Sequence, residues 1–362
     1  KRGRTRRGLG VRYSQEHSGR GASDGLVWID REGRVHVPTG IGNIGTVAHT
    51  GIGLVVAEAL AVPLEQVEVT WADTADVAWD FVTDASRSLH CNGKAFYNAA
   101  VDLERQLKEA AARRFGASAE TVELRLGAAY GPGGRSASLR DLAAGVLPRR
   151  DFTPYFDPEQ DVNPLLDESS GKITPQPEMS LAPATARLAR RLVDDGHVVG
   201  LGHYVWNPAV QSWGASAAEV EVDMETGQVE VLGLACVHDC GRVIYRTGAE
   251  AQIHGGTIMG LGWAMFEELR SDPKTLIPVN ARLHELRPPT MLDYPPITPV
   301  FVEAPVEAGP FGAKGLGENP VWNAAPAIGN AIYNATGVRV RSLPFTWEKV
   351  HRALHEAERS RA

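Results

Sequence analysis

The sequence predicts an α+β fold with two lobes, in which mixed sheets pack against helices. Hairpin patterns occur on both sides of a proline-rich stretch, and long helical patterns follow each hairpin. At 362 residues the chain is long enough to divide its core among two or three domains. We place a first lobe at residues 1–146, an insert or linker at 147–182 and a second lobe at 183–362.

The first lobe contains four predicted elements. Apolar and polar residues alternate on both sides of a turn at Gly33, which predicts a hairpin. One helical pattern stops before Pro63, and a longer amphipathic pattern stops at Gly116, a residue type that commonly ends helices. The elements are a hairpin (26–30 and 34–37), a helix (47–61), a strand (67–71) and a helix (93–115).

The second lobe follows a stretch that lacks regular structure. Between residues 147 and 182, six prolines occur among many charged residues, which indicates an irregular insert. Beyond it, a turn at Gly227 predicts a second hairpin, and Pro320 suits the first turn of a helix. The elements are a hairpin (218–222 and 229–237), a helix (251–269) and a helix (320–335).

The charge and the hydropathy pattern argue against several classes of protein. A net charge of -7 and a pI near 5.9 disfavour a dedicated nucleic-acid binder. The basic segment 1–7 is therefore more readily explained as a solvated or partner-facing end than as a nucleic-acid arm. No apolar stretch follows this segment, so it does not predict a secretory signal. The sequence has no run of about 18 apolar residues, and we expect no membrane span.

The cysteine content points to a reducing compartment. Cys91, Cys236 and Cys240 are an odd and sparse set, which suits a cytoplasmic protein better than a disulfide framework. An iron–sulfur cluster of the ferredoxin type needs four closely spaced thiolates, and this chain cannot supply them. We expect three small buried side chains.

Three segments place glycine or hydroxyl residues at a junction between a loop and a helix: residues 40–46, 83–88 and 311–318. Such a junction offers free backbone N–H groups and the positive end of a helix, which suits phosphate or another anion. None has the spacing of a dinucleotide fingerprint or of a P-loop. Each loop alone is more often a helix cap or a tight turn, so that alternative stays open.

Taken in order, these loops and the segments between them resemble the molybdopterin-binding large subunits of the xanthine dehydrogenase family. The resemblance runs from about residue 1 to residue 350, apart from the proline-rich stretch. It implies a molybdenum ion held by the dithiolene of a pyranopterin, and we expect the molybdopterin cytosine dinucleotide form. The matching segments are Gly45-Thr46, Thr83-x-Ala85-Ser86-Arg87-Ser88, Glu250-x-Gln252-Ile253-His254-Gly255-Gly256 and Gly315-Leu316-Gly317-Glu318.

The resemblance implies that each loop contacts a different part of the cofactor. Many family members have glutamine at the position of Thr46, so the shorter threonine either loses the contact with the oxo ligand or makes it through water. Expected near the pyrophosphate are Thr83, Ser86, Arg87 and Ser88, with Ala85 between them. Expected near the pterin or the oxo ligand are Gly45, Thr46 and Gln252. Expected over the dithiolene are Lys314, Gly315, Leu316 and Gly317.

Glu318 lies at the position of the catalytic base of this family. In that role it would take a proton from the hydroxyl that attacks an electron-poor substrate carbon, which requires a carboxylate that is ionised near neutral pH. From the residues alone, the alternative is an N-cap for the helix near Pro320. The segment His238–Cys240 contains three metal-ligand residue types, but a structural turn is favoured because neighbours on an extended segment point to opposite faces. His90 and His254 are weaker candidates for tuning the site.

The resemblance also implies partners. The chain corresponds to the C-terminal half of the longer large subunits, as in the medium subunit of split nicotinate dehydrogenases. We therefore expect a complementary chain with the other half of the molybdenum site, an Fe–S subunit with [2Fe–2S] clusters and a FAD subunit. A fragment of a longer protein is the alternative. The implied activity is hydroxylation of an electron-poor carbon of an N-heterocycle, purine or aldehyde. The alternative is that the chain is a non-catalytic cofactor-binding or assembly module.

Overall fold

A computed structural model describes residues 4–155, 165–167, 172–174, 181–207 and 209–360. This part of the chain is α+β, with helices packed on two four-stranded sheets. Each of these sheets contains both antiparallel and parallel strand pairs. The predicted fold class, mixed sheets with packed helices, is therefore confirmed. Within the described ranges, no helix combines the length and the apolarity needed to cross a bilayer.

The described strands and helices have the following bounds. The strands are β1 (Thr5–His17), β2 (Ala22–Ile29), β3 (Val35–Pro38), β4 (Val67–Thr70), β5 (Glu123–Arg125), β6 (Ala128–Gly131), β7 (Arg135–Ser138), β8 (Leu165–Asp167), β9 (Lys172–Thr174), β10 (Val198–Val205), β11 (Gln211–Asp223), β12 (Val229–Asp239) and β13 (Ile297–Val302). The helices are α1 (Ala48–Ala59), α2 (Gly93–Phe115), α3 (Leu139–Ala143), α4 (Pro183–Asp194), α5 (Arg246–Met265), α6 (Leu283–Leu286), α7 (Asn319–Thr336) and α8 (Trp347–Arg359).

The first sheet has the strand order β10–β2–β3–β4 and packs against helix α2. The apolar stripe predicted for this helix is fully buried in the first core: Phe96, Ala99, Leu103, Leu107 and Ala111. The helix ends where Gly116 adopts a φ of 58°, a left-handed conformation that glycine reaches at little cost. The hairpin, helices and strand predicted for this part of the chain are present, with small shifts at their ends.

The second sheet has the strand order β1–β11–β12–β13 and packs against helices α5 and α7. Strand β1 approaches α7 through two glycines. A Cβ on Gly8 would lie 2.2 Å from the carbonyl oxygen of Ala331, and one on Gly10 would lie 2.1 Å from the Ala331 nitrogen. The backbones of strand and helix therefore touch at these positions. Two predictions needed adjustment here, because β11 and β12 are longer than the predicted hairpin and α5 begins earlier than residue 251.

The two cores do not follow the predicted lobe boundaries of 1–146 and 183–362. Strand β1 pairs along its whole length with β11 of the second sheet. Strand β10, from the later part of the chain, pairs with β2 of the first sheet. Each sheet thus contains a strand from the other predicted lobe. The hydrophobic pattern of a strand indicates which face it buries, but it does not indicate which strand lies beside it.

Several elements were not predicted, namely the small sheet β5–β6–β7, the strands β1, β8, β9, β10 and β13, and the helices α3, α4, α6 and α8. Much of the proline-rich insert 147–182 lies outside the described residues, including 156–164 and 175–180. The predicted irregular insert thus lies in large part outside the described residues. Within this insert the structure describes residues 147–155, the paired strands β8 and β9, and residues 181–182.

We expect Gly10→Ala to destabilise the protein, because the added methyl group would collide with the backbone of α7. Overpacking of this kind costs about 1–3 kcal/mol. Gly255→Ala is the matched control, since a Cβ at that exposed position of α5 meets no atom within 4 Å. Removing a helical glycine should instead stabilise the fold by about 0.5–1 kcal/mol. Chemical denaturation of both variants measures the difference, and equal stabilities would contradict the backbone contact.

Candidate functional site

The three glycine-rich loops meet at one cleft. Its walls come from the start of α1, the segment around Ser86, the start of α5 and the loop before α7. The space is open to solvent and amounts to about 660 Å³. Of the twelve residues predicted to bind a cofactor, eight line this cleft: Thr46, Ser86, Ser88, Gln252, Lys314, Gly315, Leu316 and Gly317.

Helix N-termini give the cleft a positive character. Helix α1 begins at Ala48, and α5 begins beside Tyr245, both in the cleft wall. The first N–H groups of a helix have no acceptor within the helix, and the helix dipole places partial positive charge there. Arg242 also lines the cleft and is exposed to solvent, so its guanidinium can pair with an anion. Sequence reasoning did not single out Arg242. The cleft therefore suits a negatively charged group.

One feature of the cleft walls points to a bound polar ligand, and a second shows how closely two of the loops meet. The Oγ1 of Thr46 is buried and has no hydrogen-bond partner within the part of the chain that the structure describes. A buried hydroxyl without a partner is costly, so a ligand atom that bonds to it would stabilise this arrangement. The opposite wall lies so close to the Ser86 loop that a Cβ on Gly315 would be 2.4 Å from the Ser86 carbonyl oxygen. Glycine is required there for the loops to meet.

Gly45, Thr83 and Ala85 adjoin the cleft without belonging to its described lining. The carbonyl oxygen of Gly45 accepts a hydrogen bond from Nε2 of Gln252 at 3.3 Å, which ties the first loop to α5. Thr83 joins the first two loops, because its Oγ1 accepts the N–H of Gly42 at 2.9 Å. Ala85 lines a neighbouring cleft. The Thr83 hydroxyl and the Gln252 amide thus hold these loops in place.

Arg87 requires a correction. Its side chain is fully buried, and the guanidinium donates to Asp80 and Ser23 and to the backbone carbonyls of Arg20, Ala22 and Val82. All three guanidinium nitrogens are engaged within the protein, so this side chain cannot lie against a pyrophosphate. Its charge is compensated by Asp80, as a buried guanidinium requires. Arg87 instead holds the second loop onto strand β2.

Two further groups fix the loop that precedes α7. Lys314 donates from Nζ to Asp239 at 2.6 Å and from its backbone N–H to the Cys240 carbonyl oxygen at 2.8 Å. His238 and Asp239 are the last two residues of strand β12 and Cys240 follows it, so this segment is the end of a strand and not the predicted structural turn. No metal-ligand cluster occurs among the described residues. His90 donates from Nδ1 to the Ala313 carbonyl oxygen at 2.9 Å, and burial lowers its pKa to about 4. His90 is thus neutral near pH 7 and holds the backbone at Ala313 in place.

His254 lies away from both clefts. Its Nδ1 hydrogen-bonds to the Tyr294 hydroxyl at 3.0 Å, and neither residue lines a described wall of the clefts.

Glu318 immediately precedes α7 and is exposed in a second cleft, next to the first. Although it occupies the N-cap position, its side chain makes no capping hydrogen bond, so the alternative role as an N-cap is not realised. Its backbone N–H donates to the Ser86 Oγ at 2.8 Å. Ser86 lines the first cleft and thereby connects it to Glu318. The second cleft is lined by Gln15, Glu16, His17, Ala85, Gln211, Glu318 and Trp322.

Glu16 is a second residue, after Arg242, that sequence reasoning missed. Its carboxyl is only 6% exposed, and its Oε1 accepts the Ser86 hydroxyl at 3.1 Å. Burial, together with the neighbouring carboxyl of Glu318, raises the pKa of Glu16 to about 8. A signal was available in the alternation of β1. Glu16 falls on the same strand face as Gly8, Gly10 and Ser14, and a carboxylate on a buried face calls for an explanation.

The clefts together offer the helix N-termini and exposed polar groups that suit an anionic cofactor, with the carboxyls of Glu16 and Glu318 beside them. A family model described as "Molybdopterin cofactor-binding domain" matches residues 1–295. The chain therefore belongs to the molybdopterin cofactor-binding domain family. The orphaned Thr46 hydroxyl, the helix N-termini and the glycine-lined wall all fit such a cofactor.

Known relatives agree with this assignment. The putative xanthine dehydrogenase molybdenum-binding subunit of Escherichia coli is 30% identical over 364 residues, covering 98% of this chain and 43% of that protein. The aldehyde oxidoreductase molybdenum-binding subunit of Escherichia coli is 27% identical over 330 residues, covering 91% and 38%. The fold resembles that of quinoline 2-oxidoreductase from Pseudomonas putida, with a TM-score of 0.75 at 23% identity, covering 98% and 42%. The chain thus spans less than half the length of each.

The two serines of the second loop should have separable effects. We expect Ser88→Ala to lower the molybdenum content, because a hydroxyl bonded to a charged acceptor contributes about 1.5–3 kcal/mol. Ser86→Ala should leave the content nearly unchanged and lower the rate per bound molybdenum, since its hydroxyl holds Glu318 and Glu16. Metal analysis combined with turnover measures both. If Ser86→Ala lost cofactor and kept its rate per metal, this division of roles would be incorrect.

Proposed function

We propose that this chain is the molybdenum-cofactor part of a multi-subunit hydroxylase or dehydrogenase with Glu318 as its catalytic base. The observation that carries this proposal is the position of Glu318. An exposed carboxylate with no capping role lies in the second cleft, directly after Gly317 of the first cleft, and its backbone is held by Ser86 of the first cleft's wall. A module that only binds the cofactor has no need for such a carboxylate.

The cofactor would lie along the first cleft. Its phosphate groups would face the N-termini of α1 and α5, with the Ser88 hydroxyl and the Arg242 guanidinium within the same walls. Thr46 would use its unpartnered hydroxyl, and the backbone of residues 314–317 would close over the sulfur-bearing end. When bound, the molybdenum centre would supply a two-electron oxidation in which the incorporated oxygen comes from water.

Glu318 would accept the proton of the attacking oxygen. Its side chain is exposed to solvent in the second cleft. The hydrogen bond from its N–H to Ser86 fixes the backbone from which the side chain reaches into the cleft. A positioned general base near the reacting atoms contributes typically about 10²–10⁴-fold to the rate.

The names of two relatives support a proposal for the substrate class. One relative is named for xanthine and another for aldehydes. We therefore propose an N-heterocycle, a purine or an aldehyde with an electron-poor carbon. The electrons would leave through partner subunits that carry [2Fe–2S] clusters and FAD, because this chain has only three cysteines and all are buried.

We expect Glu318→Gln to keep the cofactor and to lower turnover by at least about 10²-fold. The amide preserves shape and removes only the ability to accept a proton. Glu356→Gln, at an exposed position of α8, is the matched control and should be unaffected. The measurement is turnover per bound molybdenum with the candidate substrate classes. Turnover in Glu318→Gln close to that of the control would exclude Glu318 as the base.

The outer face of the second sheet supports the need for a partner chain. We define this face by Leu9, Val11, Tyr13, Trp213 and Val300, which are 41–66% exposed and lie on the same face of the sheet, on β1, β11 and β13. An apolar surface of this kind on a sheet normally packs against another layer. We propose that the outer face packs against the polypeptide that completes the molybdenum site.

We expect Val11→Asp to prevent co-purification of the complementary polypeptide, because a carboxylate on the outer face would be buried without a partner. Leu126→Asp is the control, since this residue is 73% exposed in the turn between β5 and β6, away from that face. Size-exclusion chromatography after co-expression measures assembly. Equal assembly of both variants would show that the partner binds elsewhere.

A further inference from the structure

Glu16 and Glu318 come from opposite ends of the chain and meet in the second cleft. Strand β1 brings Glu16 there, and the start of α7 brings Glu318. The Ser86 hydroxyl lies between them, donating to Oε1 of Glu16 and accepting the N–H of Glu318. One hydroxyl thus sets the separation of the two residues.

The second carboxyl oxygen of Glu16 is the unusual feature. Oε2 is buried and has no hydrogen-bond partner within the described ranges. The carboxyl of Glu318 lies in the same cleft, close enough for its charge to act on Glu16. Two ionised carboxylates can only accept hydrogen bonds, so they repel each other at such a separation. A single proton between them converts the repulsion into a hydrogen bond and satisfies the buried oxygen.

We propose that Glu16 and Glu318 hold one proton between them near neutral pH and that Glu16 is a positioning residue for the catalytic base. This inference rests on the proposed function of Glu318. The proton resides on Glu16, whose carboxyl is buried, and leaves the exposed Glu318 ionised and able to accept a second proton during turnover. The protonated Glu16 donates to the Glu318 carboxylate and holds it in one orientation.

The surroundings of Glu16 favour this assignment of the proton. Among the described residues, Glu318 is the charged group whose field acts on Glu16, and it favours the protonated form. The Ser86 hydroxyl and the backbone N–H of Asn319 favour the ionised form, but burial outweighs them. The net result is the pKa of about 8 for Glu16, so the pair loses its shared proton only in alkaline solution.

The first test compares how the rate per bound molybdenum depends on pH in wild type and in Glu16→Gln. The amide that this substitution introduces donates a hydrogen bond at every pH, whereas Glu16 ceases to donate above about pH 8. With each profile scaled to its value at pH 7, we expect the wild-type rate to fall below that of the variant above pH 8, by about threefold to tenfold by pH 9.5. Glu356→Gln should follow wild type. Superimposable profiles for wild type and Glu16→Gln would overturn the proposal.

The second test uses stability and needs no activity, so it distinguishes failure of this inference from failure of the proposed function. The pKa of Glu16 is higher in the folded state than its ordinary value of 4.5. The folded state therefore binds more protons between about pH 4.5 and pH 8, and stability falls as pH rises through that window. We expect the unfolding temperature of wild type to fall across this window relative to Glu16→Gln in the assembled protein.

Glu318→Gln is the second variant, and we expect it to fold normally because the side chain is exposed. It therefore keeps the test decisive if Glu16→Gln does not fold. Without the neighbouring charge, the window in which stability falls should end at a lower pH than in wild type. The control Glu356→Gln should keep the wild-type window. The proposal of a shared proton would be overturned if the unfolding temperatures of both Glu16→Gln and Glu318→Gln differed from that of wild type by an amount that does not depend on pH. This outcome holds whatever the enzyme activity.

Discussion

The backbone contact between strand β1 and helix α7 is the constraint on which the site depends. Gly8 and Gly10 allow the strand to lie directly on the helix, with no Cβ between them. Continuing along the strand, this contact brings Glu16 to the start of the helix, where Glu318 stands. Residues separated by about three hundred positions in the chain thus become neighbours. A larger residue at either glycine would separate them, so the packing of the second core and the geometry of the carboxyl pair are linked.

Near this contact, buried charged and polar side chains hold the glycine-rich loops in place. Arg87 connects the loop at residues 83–88 to β2, and Lys314 connects the loop at residues 311–318 to the end of β12. His90 donates a hydrogen bond to the carbonyl oxygen of Ala313 in the latter loop. Each is buried and satisfied by partners of the protein, as the cost of an unpaired buried group requires. The groups left for a ligand are then hydroxyls, backbone N–H groups and the exposed Arg242. One set of polar groups therefore maintains the shape of the cleft, and a different set remains free to bind a ligand.

The sequence was most informative about local structure and about the loops. Helices α1, α2 and α7 were predicted because each has an apolar stripe or pattern and a clear stop signal. The three glycine-rich loops were recognised as a set, and the structure brings them to one cleft. Sequence reasoning was less informative about single side chains. Arg87 looked like a phosphate ligand because its type and position suit one, yet the direction of its side chain is decided by Asp80 and by carbonyl groups elsewhere in the chain.

The sequence by itself determined the fold class, the family and the order of the cofactor loops, since these follow from periodicity and from short motifs that are continuous in the chain. Only the tertiary structure decided which strands share a sheet, where the charge of Arg87 goes and that Glu16 faces Glu318. The physical reason is that burial and proton affinity depend on neighbours in space. A carboxyl in an amphipathic strand looks like any surface glutamate until a distant helix covers it and a second carboxyl lies beside it.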